Sequence, residues 1–274
     1  MNSLGGSVVK RRNLLTSYYS GKHILITGAS SGLGAAIVEA LAPFRVHFCL
    51  LSRRKEPMDL LASRLQSTGS GFWIRSCDVQ IRSEVESAVD QYIEENGHLD
   101  IAWINSGVVG DTSFRNWNWD VVDSILNTNL RGAIYTTHFC LRYMAQRGSG
   151  TIVAISSAAA MRGLGGRALY SLTKIGLSYY MDSMAVELPQ IQFTTIYPGF
   201  VDTPINQNSP NRFWVMRPQK AAHLMIRAVA RRKASYIYPF RMKLLFYAIR
   251  LLPDSIYRRL AHRSMELTRP AGGT

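Results

Sequence analysis

Tyr170 and Lys174 stand four residues apart in Ala168-Leu169-Tyr170-Ser171-Leu172-Thr173-Lys174, and on a helix that spacing stacks them on one face. A free phenol titrates near pH ~10 and is a poor base at neutrality, but a neighbouring ammonium stabilises the phenolate and lowers that value. Such a pair can give and take a proton near neutral pH, which is general acid–base chemistry. The same spacing also occurs in ordinary surface pairs, so the reading depends on what the chain places beside it.

A second chemical signal lies near the start. The apolar run His23 to Thr27 leads into Thr27-Gly28-Ala29-Ser30-Ser31-Gly32-Leu33-Gly34 and then into helical Ala35-Ala36-Ile37-Val38. A glycine-rich turn between a strand and a helix lets the backbone approach a pyrophosphate, and the helix N-terminus presents unpaired N–H groups to it. The next strand ends Leu50-Leu51-Ser52-Arg53-Arg54. A site that reads the ribose 2′-hydroxyl of NAD places an acid at that strand end; here a serine and two guanidinium groups stand there, and arginine suits a 2′-phosphate. NADP(H) is therefore the expected cofactor, with NAD(H) as the alternative. The competing reading of Arg53 and Arg54 is a solvated helix entry.

Elements that can hold these groups are set by the pattern between them. Strands are predicted at His23 to Thr27, Val46 to Leu51, Phe72 to Ser76, Ile101 to Asn105, Thr151 to Ser156, Gln192 to Tyr197 and Ser235 to Pro239. Helices are predicted at Leu33 to Leu41, Met58 to Gln66, Arg82 to Glu95, Trp119 to Gln146, Ala168 to Leu188 and Pro218 to Arg231. Strands separated by helices give right-handed crossovers. The fold class is α/β: a Rossmann-type doubly wound parallel sheet of about seven strands with helices on both faces and a basic C-terminal helical extension.

The 274 residues are 47% hydrophobic and 18% charged, which excludes intrinsic disorder and fibrous structure. The longest apolar runs, Leu244 to Ile249 and Ile101 to Ile104, fall far short of the about 20 residues of a membrane-spanning helix. Lys10, Arg11 and Arg12 are followed by no run of signal-peptide length. Cys49, Cys77 and Cys140 are odd in number and lie in apolar segments. Both features point to a reducing, cytoplasmic location. The six histidines show no ligand spacing, so no metal site is expected.

The net charge of +14 is concentrated at the end of the chain, where ten basic residues between Arg231 and Arg269 face only Asp254 and Glu266. Met242, Leu245, Phe246, Ile249 and Leu252 recur at helical spacing before Pro253, and Ile256, Tyr257 and Leu260 begin a second run. Two short amphipathic helices are predicted. They pack on the domain or at a subunit interface, or they lie on a membrane surface with Lys and Arg on anionic lipid. Nucleic acid is excluded as the partner because no recognition motif accompanies the charge.

Further short segments complete a pattern: Asp78-Val79 after the third strand, Asn105-Ser106-Gly107 after the fourth, Asn129-Leu130-x-Gly132, Ser156-Ser157 with Ser157 thirteen residues before Tyr170, and Pro198-Gly199-x-x-x-Thr203. In order and spacing they resemble the short-chain dehydrogenase/reductase family over roughly His23 to Pro239. The resemblance implies an NAD(P)(H)-dependent oxidoreductase that interconverts a carbonyl and an alcohol. It implies Tyr170 as acid and base, Lys174 as the residue that lowers its pKa and holds the nicotinamide ribose, Ser157 on the substrate oxygen, and Asn129 as proton relay. Around the cofactor it implies Thr27, Gly28, Ser30, Ser31, Gly32, Leu33 and Gly34 at the phosphates, with Arg53 and Arg54 beyond them. Asp78 and Val79 fall near the adenine, Asn105, Ser106 and Gly107 beside the adenosine ribose, and Pro198, Gly199, Val201 and Thr203 around the nicotinamide. The family has Ala where Ser106 stands.

The stretch from Pro204 to Met216 is rich in turn residues and ends in Phe213, Trp214 and Met216. In the family this region covers the substrate, so a mobile lid and an apolar substrate are expected; packing of the lid on the domain explains the same residues. The family also implies a homodimer or homotetramer joined through the long helices. The expected organisation is a tail at 1–20, a dinucleotide-binding and catalytic domain at 21–239, and the extension at 240–274. The competing function is a non-catalytic NADP(H) sensor or a membrane-surface interaction protein on the same fold; sensors usually lack the tyrosine or the lysine, and both are present here.

Overall fold

Seven short apolar runs pair side by side in a single parallel sheet with strand order β3-β2-β1-β4-β5-β6-β7. The strands are β1 (His23–Thr27), β2 (His47–Ser52), β3 (Gly71–Ser76), β4 (Ile101–Ile104), β5 (Gly150–Ile155), β6 (Ile191–Pro198) and β7 (Ser235–Tyr238). The computed structural model describes residues 13–206 and 212–267. Lys10, Arg11, Arg12, residues 207–211 of the expected lid and Arg269 lie outside the described residues.

Strands such as Ile101–Ile104 are buried at every position. That continuous burial replaces the alternation of a one-sided sheet, because helices cover both faces. On one face lie α1 (residues 13–19), α2 (Gly32–Leu41), α3 (Glu56–Leu65) and α8 (Pro218–Ala230). There Tyr19 is fully buried and donates its hydroxyl to the Ile226 carbonyl at 2.8 Å. On the other face α4 (Arg82–Asn96), α6 (Gly132–Arg147) and α7 (Ala168–Glu187) close over Leu25, Leu51, Ala102 and Ile152. Cys49, Cys77 and Cys140 are free thiols buried in this second core.

The strand order reverses between β1 and β4, and in open sheets of this kind ligands bind beyond the strand C-termini at such a switch point. The glycine turn, Arg53 and Arg54, Asn105, Ser157 and Pro198 sit at or just past the ends of β1, β2, β4, β5 and β6, so the topology gathers them at one edge.

One expected helix is divided. The apolar period predicts a single helix from Trp119 to Gln146; the chain instead forms α5 (Trp119–Leu126), a π-helical turn at Asn127–Arg131, and then α6. The extra residue of a π turn rotates the succeeding helix by a fraction of a turn, a device frequent at functional sites. Here it turns Asn129 inward, to 1% exposure.

The extension forms α9 (Phe240–Leu251) and α10 (Asp254–Leu267). Met242 and Phe246 are buried against Ala158 and Ile237, so α9 lies directly on the segment after Ser157. No helix among the described residues is long and apolar enough to cross a membrane.

Candidate active site

Thr27 ends β1 and fastens it to β4: its Oγ1 accepts from the Asn105 and Ser106 N–H groups at 3.0 and 3.1 Å, while Asn105 Nδ2 donates to the Thr27 carbonyl at 2.9 Å. Gly28 takes a φ of +67°, which side chains with a Cβ rarely adopt. A Cβ on Gly34 would stand 2.2 Å from the Gly28 carbonyl oxygen, so the helix start and the turn can pack only through glycine. Ser31, at the N-cap of α2, is extended and makes no side-chain cap bond. The first amides of α2 are thereby left to a ligand.

Ser52 donates to Ser30 Oγ at 2.9 Å, and Arg54 donates to Ser30 Oγ at 3.3 Å and Ser31 Oγ at 3.2 Å. A guanidinium is therefore held over the glycine turn. Arg53 meets its surroundings through its carbonyl, which accepts from Ser76 Oγ at 3.0 Å. Asp78 folds into its own turn, its carboxylate accepting from the Gln80 N–H at 3.0 Å. Val79 packs on Gly132, where a Cβ would come within 2.8 Å of the Val79 carbonyl oxygen. On the far side, Thr203 meets Gly32, and Val201 bridges Met216. Gly199 donates its N–H to the Tyr238 carbonyl at 2.8 Å beside Pro198, which ends β6. A cradle with Cβ-excluding glycines, open helix amides and an adjacent cation fits an anionic dinucleotide.

Beyond β5 the chain brings a second group together. Ser157 caps a short 3-10 turn, its Oγ accepting from the Ala159 N–H at 3.1 Å, and it also hydrogen-bonds the Tyr170 side chain. Lys174 is 3% exposed, donates to the Ile155 carbonyl at 2.8 Å and stands 5.7 Å from the Tyr170 ring centre. Ser156 locks β5 to α7 by donating to the Lys174 carbonyl at 2.9 Å. Asn129 clasps the Val108 backbone, accepting from its N–H at 2.7 Å and donating to its carbonyl at 2.8 Å, with Thr173 Oγ1 at 3.4 Å. Gly107 fits above both: a Cβ there would lie 3.5 Å from Asn129 Oδ1 and from Lys174 Nζ.

Burial sets the electrostatics. It lowers the Lys174 pKa to about 8, and it raises the Tyr170 pKa against the opposing Ser157 hydrogen bond and Arg167 charge. The sequence leads one to expect a phenol pulled down by Lys174; in the structure desolvation comes first, and the opposing pulls are those of Ser157 and Arg167.

One residue at this edge has no role that the sequence alone assigns. Arg162, in the glycine-rich stretch between Ser157 and Tyr170, donates to Asp254 Oδ1 at 2.9 Å and to the Leu252 carbonyl at 2.6 Å, and its guanidinium lies 4.8 Å from the Tyr257 ring centre. The Tyr257 hydroxyl in turn donates to the Gly163 carbonyl. The extension thus grips the loop between two catalytic candidates. Phe213, in the segment expected to cover the substrate, packs edge-on against Phe200, ring centres 5.1 Å apart, and Met216 is buried.

Known proteins resemble this chain in sequence and fold. A family model described as short chain dehydrogenase matches residues 22–212. An uncharacterized oxidoreductase of Myxococcus xanthus is 32% identical over 243 residues, 87% of this chain and 96% of that protein. The ketoacyl reductase HetN of Nostoc sp. is 30% identical over 227 residues, 80% of this chain and 78% of that one. A solved short-chain type dehydrogenase/reductase from Mycobacterium marinum superposes with a TM-score of 0.75 at 25% identity, covering 83% of this chain and 96% of its own.

Proposed function

The chain belongs to the short-chain dehydrogenase/reductase family, oxidoreductases that act on CH–OH groups and bind NAD(P), and from that premise we propose that it is an NADP(H)-dependent reductase of apolar ketones or aldehydes. The observation that carries this reading is the hydrogen-bonded Ser157–Tyr170 pair beside the buried ammonium of Lys174. When bound, the dinucleotide supplies the hydride. Thr27 to Gly34 and Arg54 would hold its phosphate end, with Arg53 beside them. Asp78, Val79, Asn105, Ser106 and Gly107 would surround its adenosine. Pro198, Gly199, Val201 and Thr203 would border its nicotinamide.

The protein's own residues manage the proton. Ser157 Oγ and the Tyr170 hydroxyl donate to the substrate carbonyl oxygen, an interaction that strengthens as negative charge grows there. Tyr170, whose pKa burial keeps raised, stays protonated at neutral pH and passes its proton to that oxygen. Lys174 holds the ribose and stabilises the phenolate left behind, and Asn129 belongs to the relay that restores the proton. Ser157, Tyr170, Lys174 and Asn129 are all present in the chain, which favours an enzyme over a cofactor sensor.

The apolar substrate rests on Phe213 and Trp214, each 41% exposed at the lid, and agrees with the name of HetN, a ketoacyl reductase. Residues 21–239 form the cofactor-binding and catalytic unit of this reading. Leu172, Tyr179 and Val186 are exposed at seven-residue spacing along α7, the face through which a homo-oligomer would form.

Titration with NADPH and with NADH, followed by tryptophan fluorescence, tests the cofactor choice. NADPH is expected to bind about tenfold to hundredfold tighter, the value of one or two charge-assisted hydrogen bonds, and Arg54→Ala to remove most of that margin. Equal binding, or a preference for NADH, overturns it.

A further inference from the structure

The helix α9 carries two apolar stripes. The inner one, Met242 and Phe246 with Leu245, packs on Ala158 and Ile237. On the opposite side Phe240, Leu244, Tyr247 and Leu251 are 69%, 57%, 46% and 82% exposed. Their spacing of four, three and four residues keeps them within about 60° of one direction on a helix. The sequence pattern alone picks out the inner stripe; among the described residues nothing covers the outer one.

The flanks of the outer stripe are cationic. On a helical projection Arg241 falls on one side of it and Lys243 and Arg250 on the other. On α10, Ile256 and Leu260 are exposed among Arg258, Arg259 and Arg263. At the junction of β7 and α9 a concavity of about 230 Å³ is walled by Tyr236, Phe240 and Tyr247, with Lys233 and Lys243 at its sides. The Lys233 ammonium lies 4.9 Å from the Tyr236 ring centre. Asp254, at the start of α10, is engaged by Arg162.

We infer that the outer face of α9 and α10 is a docking surface for an anionic phospholipid bilayer. Apolar side chains flanked by cations along a helix are the arrangement of an interfacial helix lying in the headgroup plane, and each basic residue near an anionic surface adds to the attraction. The Lys233–Lys243 concavity suits a lipid phosphate, with aromatic rings at the headgroup level. A second copy of the chain fits poorly, because self-association through this face would set Arg241, Lys243 and Arg250 against their own counterparts. The inner stripe of α9 rests on Ala158, directly after Ser157, and Arg162 ties the loop before Tyr170 to Leu252, so one helix separates the docking surface from the proposed active site.

Co-sedimentation of the full chain with vesicles tests the inference with no reference to cofactor or turnover. With vesicles of phosphatidylcholine containing about 30% phosphatidylserine the protein is expected to pellet, and with pure phosphatidylcholine to bind at least tenfold more weakly, as the loss of a few ~1 kcal/mol basic contacts requires. Leu244→Ser with Leu251→Ser is expected to weaken binding by at least about tenfold, while the NADPH titration and the thermal midpoint stay at the wild-type values. No pelleting with phosphatidylserine vesicles overturns the inference. So does undiminished binding by the double variant, or a dimer in solution that the double variant converts to monomer.

Discussion

The ammonium of Lys174 stands 5.7 Å from the centre of the Tyr170 ring while donating 2.8 Å to the carbonyl of Ile155, the last residue of β5. The sheet itself therefore fixes the lysine, and α7 sets the tyrosine one turn away. Buried together, the two groups shift in opposite senses: the phenol rises and the ammonium falls to about 8. Both shifts have desolvation as their first cause, because burial disfavours whichever form is charged.

The lowered lysine gives the reaction a pH dependence. Lys174 is charged below pH about 8 and neutral above it. The reduction is expected to hold a steady kcat/KM below that value and to fall as pH rises through it. Lys174→Met should remove this limb and lower the rate at neutral pH. A wild-type profile that is flat through this range contradicts the assignment.

Arg162 acts through the loop it holds. Losing its bonds to Asp254 and Leu252 frees the segment between Ser157 and Tyr170, and small misplacements of catalytic groups are costly. Arg162→Ala is expected to lower kcat about tenfold or more with NADPH affinity unchanged, and Arg162→Lys to recover part of it through the Asp254 contact. An equal loss of thermal stability and cofactor binding would instead mark a purely structural tie.

At the opposite end of the sheet, His23 stacks on His47 with ring centres 4.5 Å apart and lies 4.1 Å from His98. Burial, with the neighbouring His98 and His47 charges behind it, lowers the His23 pKa to about 4. In the unfolded chain this histidine titrates near ~6.5, so between the two values the unfolded state binds the extra proton. Stability is then complete above pH ~6.5 and declines as pH falls toward 4. Urea midpoints measured across that window should drop, and His23→Gln should flatten the decline. A midpoint independent of pH there would contradict it.

Legibility in the sequence varies with the range of the cause. The strand His23–Thr27 and the glycine turn after it are local: apolar run, glycines and helix start stand in one stretch, and the structure has the strand at those bounds. The same holds for Tyr170 and Lys174, whose meeting requires only a helix. Asn129 is identifiable from its neighbours, but the π turn that buries it is not, because one inserted residue hardly disturbs an apolar period over a helix of this length. The two stripes of α9 lie on opposite faces, so their moments cancel and the pattern reveals one of them. Arg162 and Asp254 are 92 residues apart, and only the packing of α9 on the sheet brings them together.

The most direct test of the account is a single-turnover comparison of wild type and Tyr170→Phe, with bound NADPH and a panel of alkyl and aryl ketones. Removing one hydroxyl is expected to slow NADPH oxidation by about 10²- to 10⁴-fold, the range of general acid catalysis, with NADPH affinity unchanged. Turnover at the wild-type rate in Tyr170→Phe would contradict the assignment of Tyr170 as the proton donor.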